Sequence, residues 1–141
     1  MGKKYLSPTD REIVYRRANA CCEYCLSQEA FATHRFSIEH ILPQSKGGEH
    51  KPHNWALACQ GCNNFKYTKT HALDPISQKE VPLYNPREEE WGQHFIWSKD
   101  YERILGLTPT GRASIICMKL NRASVVNLRR ILYLQGEHPP G

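Results

Sequence analysis

The chain has 141 residues, of which 40% are hydrophobic and 23% are charged, an ordinary balance for a single globular domain. Its formal charge of +5 suits a polyanionic partner but does not identify one. No stretch is long and apolar enough to cross a membrane, and residues 1–7 lack the apolar core of a signal peptide. We therefore expect no membrane partner.

The first half of the chain predicts a helix, two strands and a second helix, over residues 10–20, 35–42, 55–58 and 60–70. Thr9 or Asp10 can cap the first helix. Pro43 ends the first strand, and a glycine-containing loop then connects it to the second.

The second half is interrupted by prolines between residues 73 and 86, which exclude a long helix there. Residues 94–98 and 104–107 predict short strands, paired as a hairpin. Thr108 and Pro109 are typical of a helix start, with a capping hydroxyl and a proline at the first position. A last helix follows, and its spacing predicts an apolar face formed by Val125, Leu128, Ile131 and Leu132. Three arginines are predicted to lie mostly off that face: Arg122, Arg129 and Arg130.

A basic stretch lies near the end of the chain. Between residues 103 and 135 there is no acidic residue, and six basic ones occur: Arg103, Arg112, Lys119, Arg122, Arg129 and Arg130. Such a concentration favours a nucleic-acid partner. A solvated helix face would have the same composition, so both interpretations stay open.

Two Cys-x-x-Cys pairs are the strongest motif, formed by Cys22, Cys25, Cys59 and Cys62. One such turn presents two thiolates to a metal, and two turns complete a tetrahedron around zinc. Six cysteines without a recognisable export signal favour reduced thiols in the cytosol over a disulfide framework. Cys21 could replace Cys22, but only Cys22 repeats the spacing of the second pair. Redox chemistry is the alternative use of these pairs.

Polar residues suited to hydrolysis lie between and just after the cysteine pairs. Glu39 and His40 are a weak signal alone, since adjacent strand residues point to opposite faces. The interpretation as a hydrolytic site becomes stronger because Asn54 lies between the same cysteine pairs. Asn63 and Lys66 support it as well, since helical spacing places them side by side.

These motifs together resemble the HNH endonuclease family. The resemblance covers about residues 18–69 and consists of Cys-x-x-Cys, the run Phe-Ser-Ile-Glu-His-Ile-Leu-Pro-Gln-Ser-Lys-Gly-Gly at 36–48, Asn54, and Cys-x-x-Cys-Asn-x-x-Lys ending at Lys66. Residues 81–87, 94–98 and 106–113 resemble extensions found in a bacterial subset of that family. A bacterial cytosolic setting is therefore expected.

The resemblance implies an α+β fold with a ββα-metal (His-Me finger) core, a structural zinc clip and a C-terminal extension of helices and short strands. Residues 1–72 would form the nuclease core, and residues 73–141 an extension packed on it as one compact unit. The implied partner is DNA. A homodimer could cut both strands, whereas one site cuts one strand.

The resemblance also implies roles for individual residues. His40 would be the general base, Glu39 a metal ligand, Asn54 the residue that holds the loop and orients the base, and Lys66 a contact to a phosphate oxygen. Asn63 takes the third position, where many members have His.

The implied cofactors are two different metals. Oxygen ligands from Glu39 and Asn63 would favour Mg²⁺ or Mn²⁺, beside Zn²⁺ in the clip. The implied reaction is hydrolysis of a DNA phosphodiester, in which His40 activates water and the divalent ion stabilises the leaving 3′ oxygen. The rival interpretation is a zinc-clipped DNA-binding module with a vestigial nuclease site.

Overall fold

The computed structural model describes residues 6–141, so the expectation about the amino-terminal segment falls almost entirely outside the described residues. The described chain mixes helices with two-stranded antiparallel sheets, which confirms the α+β class. The helices are Pro8–Ala18 (α1), Gln60–Lys66 (α2), Trp91–His94 (α3), Pro109–Cys117 (α4) and Ala123–Leu134 (α5). The strands pair in chain order and are Ser37–His40 (β1), Trp55–Ala58 (β2), His71–Leu73 (β3), Glu80–Pro82 (β4), Phe95–Trp97 (β5) and Ile104–Gly106 (β6).

The hairpin β1–β2 and helix α2 carry the polar residues singled out above. Ser37 lies opposite Ala58, and His40 lies opposite Trp55. All four residues of β2 are buried. Helix α2 begins directly after β2 and packs against both strands, so the loop between the strands and the first turn of α2 are both anchored to this hairpin.

Two helices have different boundaries from those predicted, for local reasons. Helix α1 begins at Pro8 because Ser7, not Thr9 or Asp10, is the cap: its hydroxyl accepts from the Asp10 amide at 3.1 Å, and Asp10 accepts from the Ser7 amide in return. Helix α2 ends at Lys66, short of residue 70, because Tyr67 adopts a φ of 50°, which does not continue a helix.

The hairpin β3–β4 was not predicted from the sequence. Asp74 is fully buried at its turn and accepts from the amides of Ile76 and Ser77. The carboxylate also forms a bidentate ion pair with Arg112 of α4, at 2.8 and 3.0 Å. The Arg112 guanidinium holds the pKa of the Asp74 carboxyl well below its usual range, and the pair fixes this hairpin to α4.

The predicted elements of the extension are present, but the buried face of α5 differs from the face predicted from the sequence. The strands β5 and β6 form the expected hairpin, and Thr108 caps α4 by accepting from the Gly111 amide at 3.0 Å. In α5, however, Ile131 is 59% exposed and Arg129 only 4% exposed. The prediction that Arg129 lies off the buried face is therefore wrong.

Residues on both sides of the expected boundary after residue 72 share one buried cluster. Its members include Tyr24, Trp55 and Leu57 from one side, and Tyr84, Phe95, Ile104, Met118 and Leu120 from the other. The boundary itself falls within β3, and the division into two parts stays a prediction. Among residues 6–141, no helix combines the length and hydropathy needed to cross a bilayer.

Candidate active site and zinc clip

The four predicted cysteines lie together in the interior. The Sγ atoms of Cys22, Cys25, Cys59 and Cys62 are all within 4.8 Å of one another, and all four residues are buried. The Cys25 and Cys59 sulfurs are 3.6 Å apart, close to the roughly 3.8 Å edge of a tetrahedron with Zn–S bonds of about 2.3 Å. Cys21 is outside this group and its thiol bonds to the Asn19 carbonyl instead. The cluster could therefore bind one zinc ion through Cys22, not Cys21.

Each Cys-x-x-Cys turn points a backbone amide at a sulfur. The Cys25 amide donates to Cys22 Sγ and the Cys62 amide to Cys59 Sγ, both at 3.5 Å. Cys59 is also the N-cap of α2, so one sulfur serves the helix and the cluster together. Burial raises the pKa of the Cys22 thiol, and a bound cation is what would stabilise thiolates in such a place.

An arginine from the end of the chain reaches the clip. Arg122, the residue before α5, donates to Cys59 Sγ at 3.3 Å and to Cys62 Sγ at 3.7 Å. Zinc bound by four thiolates carries a net charge of about −2. A guanidinium beside two of the sulfurs offsets part of that charge and orients the ligands, as outer hydrogen-bond donors commonly do.

We expect Arg122→Gln to weaken zinc binding by about 10- to 100-fold, the usual cost of removing an outer-shell partner. Competition with a chromophoric chelator would measure the change. Arg130→Gln is the matched control, because Arg130 pairs with Glu102 at 2.7 Å and donates to no sulfur among residues 6–141. Equal zinc affinity in the two variants would exclude this role for Arg122.

His40 lies at the end of β1 and is half-buried. Its Nε2 is 3.0 Å from Nδ1 of His50, and the two ring centroids are 5.2 Å apart. Nδ1 of His40 bonds to no residue in the described chain. Burial, and to a lesser degree the neighbouring His50, lower the pKa of His40, which favours the neutral ring at neutral pH.

Asn54 closes the loop that follows His40. Its Oδ1 accepts from the Leu42 amide, and its Nδ2 donates to the carbonyls of Leu42 and Glu49, all at 2.9 Å. Gly48 packs so closely here that a Cβ would lie 1.7 Å from the Leu42 oxygen. These bonds fix both ends of residues 42–54, which is the arrangement a loop-holding residue requires.

Glu39 points into the interior, on the face of β1 opposite His40, as strand alternation dictates. It is 6% exposed; the Tyr24 hydroxyl donates to its Oε1, and the Lys66 ammonium donates to its Oε2 at 3.1 Å. Lys66 also donates to the Ile41 carbonyl at 2.9 Å. Burial raises the pKa of Glu39, and Lys66 opposes that shift.

Lys66 is thus placed differently from the sequence expectation. Only 2% of it is exposed, and its ammonium is held by Glu39 and Ile41, so it presents no charge to a phosphate in this geometry. Tyr24, its partner on the carboxylate, was not recognised from the sequence. Strand alternation gave no signal for it, because Phe36 and Ile38 share a face with His40 and not with Glu39.

Asn63 lies in the first turn of α2 and is partly buried. Its backbone takes part in the helix, but its side-chain amide bonds to no described residue. Its amide oxygen is therefore available as a ligand for a hard cation.

The basic stretch of the extension is largely engaged inside the protein. Arg112 pairs with Asp74, Arg122 contacts the cysteines, and Arg130 pairs with Glu102. Arg129 is buried and donates to the carbonyls of Cys25 and Leu120, with its guanidinium over the Trp97 ring. Because four of the six basic residues have structural partners, their number is weak evidence for a nucleic-acid surface.

Comparison with known proteins gives a family match for part of the chain. Residues 22–80 match the family model described as HNH endonuclease, a segment that contains both cysteine pairs, the β1–β2 hairpin and α2. This segment is thus similar to the HNH endonuclease family, and the four clustered cysteines are consistent with its zinc-clipped members. No curated protein and no solved structure matches the chain.

Proposed function

We propose that the protein is a metal-dependent DNA endonuclease with a ββα-metal core formed by β1, β2 and α2. The observation that carries the proposal is the state of His40. One ring nitrogen is engaged by His50, the other is free of bonds to the described chain, and the pKa is lowered. A neutral imidazole with a free nitrogen can act as a general base near pH 7.

The donor groups suit a hard divalent ion. Each Glu39 oxygen accepts one hydrogen bond and keeps a second lone pair, and the Asn63 amide oxygen is free. Carboxylate and amide oxygens are ligands that Mg²⁺ and Mn²⁺ accept. We propose that Glu39 and Asn63 would hold the ion, for which the Glu39 carboxylate would leave Lys66 and turn towards the side of β1 that carries His40.

The reaction then follows from these groups. His40 Nδ1 takes a proton from a water molecule, the water oxygen bonds to phosphorus, and the bond from phosphorus to the 3′ oxygen breaks. The leaving 3′ oxygen takes a proton from solvent water, so the products carry a 5′-phosphate and a 3′-hydroxyl. Asn54 keeps the loop beside His40 closed throughout. When bound, the divalent ion stabilises negative charge on the leaving 3′ oxygen.

The proposal is tested with zinc-loaded protein and supercoiled plasmid. We expect nicked circles with added Mg²⁺ or Mn²⁺, none when the ion is simply omitted, and nicks that DNA ligase seals because of their end groups. Omission is preferable to chelation, since a chelator would also compete for the zinc. DNA binding without cleavage under every ion would favour the rival, a DNA-binding module with a vestigial site.

A pair of neighbouring asparagines tests the ion ligand. Asn63→Ala is expected to weaken Mn²⁺ binding and to shift cleavage to higher Mn²⁺ concentration, because an oxygen donor is lost while no hydrogen bond within the described chain is broken. Asn64→Ala, at an exposed position in the same helical turn, is the control. Mn²⁺ titrations followed by electron paramagnetic resonance would show the difference, and identical curves would argue against Asn63 as an ion ligand.

A homodimer and a cytosolic setting remain predictions.

A further inference from the structure

The contact between His40 and His50 constrains where their protons lie. Two imidazole nitrogens 3.0 Å apart form a hydrogen bond only if one of them carries a proton and the other a lone pair. The bond therefore has two possible directions. They differ in which nitrogen of His40 is left to react.

Only one direction leaves His40 able to act as a base. If His40 Nε2 donates, Nδ1 of the neutral ring keeps its lone pair and faces no partner in the described chain. If His50 Nδ1 donates instead, the lone pair of His40 is already used at Nε2 and its Nδ1 carries the proton. A histidine that accepts a proton from water at Nδ1 requires the first arrangement.

The surroundings hold His50 in place for this contact. Its ring packs edge-on against Trp55, with centroids 5.2 Å apart, and Trp55 is 2% exposed and lies opposite His40 in the hairpin. The carbonyl of Glu49, the residue before it, accepts a hydrogen bond from Asn54. His50 is thus fixed through its ring by the buried hairpin and through its backbone by the closed loop.

We propose that His50 is a positioning residue for His40: it accepts the Nε2 proton, selects the tautomer with a lone pair on Nδ1, and fixes the plane of the ring. The choice of tautomer and its consequence for catalysis rest on the proposed function, whereas the contact between the two rings does not. His50 itself transfers no proton in this scheme. The sequence alone marks it only as a loop histidine.

Nitrogen-15 spectroscopy on the zinc-loaded full chain tests the direction of the bond. We expect shifts of a protonated Nε2 and an unprotonated Nδ1 for His40, and a scalar coupling across the bond to an unprotonated Nδ1 of His50. In His50→Ala, the coupling is lost and the His40 Nε2 proton exchanges faster with water. A proton found on His50 Nδ1 in the wild-type chain would overturn the proposal.

Rates supply the second measurement. His50→Ala is expected to lower kcat by about 10- to 100-fold, the usual cost of losing an orienting partner, with KM unchanged. His50→Asn should restore most of it, because the Asn Oδ1 occupies nearly the place of His Nδ1 and accepts the same proton. His53→Ala is the control, since His53 is exposed and pairs with Glu49 instead.

The outcomes separate this proposal from the proposed function. If the wild-type chain does not cleave DNA, the nitrogen-15 measurement still decides the tautomer. If it cleaves and His50→Ala keeps its full kcat, the positioning role is excluded while the nuclease assignment stands. If His50→Ala fails to fold, the wild-type protein is compared with His50→Asn. A folded His50→Asn protein with a much lower kcat than wild type would contradict the proposal.

Discussion

His40→Ala is expected to lower the rate of plasmid nicking by about 10²- to 10⁴-fold, the range in which positioned general bases act. The variant should fold, bind zinc and bind DNA normally. His40 is only half-buried and its ring makes one hydrogen bond, to His50, so little stability depends on it. Initial rates with Mg²⁺ on supercoiled plasmid, beside melting curves for both proteins, would measure the effect.

Two further observations would sharpen the result for His40. Added imidazole should recover part of the lost rate in the alanine variant, because a small base can enter the space left by the ring. In the wild-type chain, the acid limb of the pH–rate profile should lie below the ordinary histidine pKa of about 6.5, since the pKa of His40 is lowered and the neutral form is the active one. Full cleavage by the alanine variant would end the assignment of His40 as base.

Cys59→Ser is expected to abolish zinc binding and unfold the domain. Structural zinc contributes about 10–16 kcal/mol in small zinc-binding units, as much as the whole stability of a typical domain of about 5–15 kcal/mol. The substitution isolates the metal, because serine is itself a favoured N-cap and can replace the capping contact of Cys59 to the Cys62 amide. Metal analysis and thermal melting would report the loss.

Two other cysteines provide controls for that experiment. Cys21→Ser and Cys117→Ser change thiols outside the cluster, so both proteins should keep one zinc and melt near the wild-type temperature. Omitting Mg²⁺ should likewise leave the melting temperature unchanged while stopping cleavage. Unaltered zinc content and melting in Cys59→Ser would refute the structural clip, and loss of zinc in Cys21→Ser would reopen the choice between Cys21 and Cys22.

The sequence predicts the zinc clip and the start of α4, because each is determined by residues a few positions apart in the chain. The spacing of Cys59 and Cys62 alone places two sulfurs on one turn, and the capping Thr108 with Pro109 defines the start of α4 without reference to the rest of the fold. Where short-range geometry decides, as at these positions, pattern and structure agree.

The partners of charged groups could not be predicted in this way, because they are remote in the chain. Arg112 and Asp74 form an ion pair although they are 38 residues apart in the sequence, and Lys66 and Glu39 are 27 residues apart. Hydrophobic periodicity assigns such residues to a solvated face, and only the tertiary fold shows that Arg129 and Lys66 are buried counter-charges and donors. The hairpin β3–β4 was missed because its strands, His-Ala-Leu and Glu-Val-Pro, lack the aromatic and β-branched composition that marks Phe-Ile-Trp in β5.

The position of α5 has a consequence for how the metal enters. Arg129 of α5 bonds to the Cys25 carbonyl, 104 residues away, and Val125 and Leu132 of the same helix lie over the first cysteine turn. During synthesis all four thiols leave the ribosome before this helix does. A new chain can therefore take up zinc through a face that the finished protein covers, and a chain that loses its zinc and unfolds exposes the same face again. We therefore expect the last helix to dock over cysteines that already hold the metal.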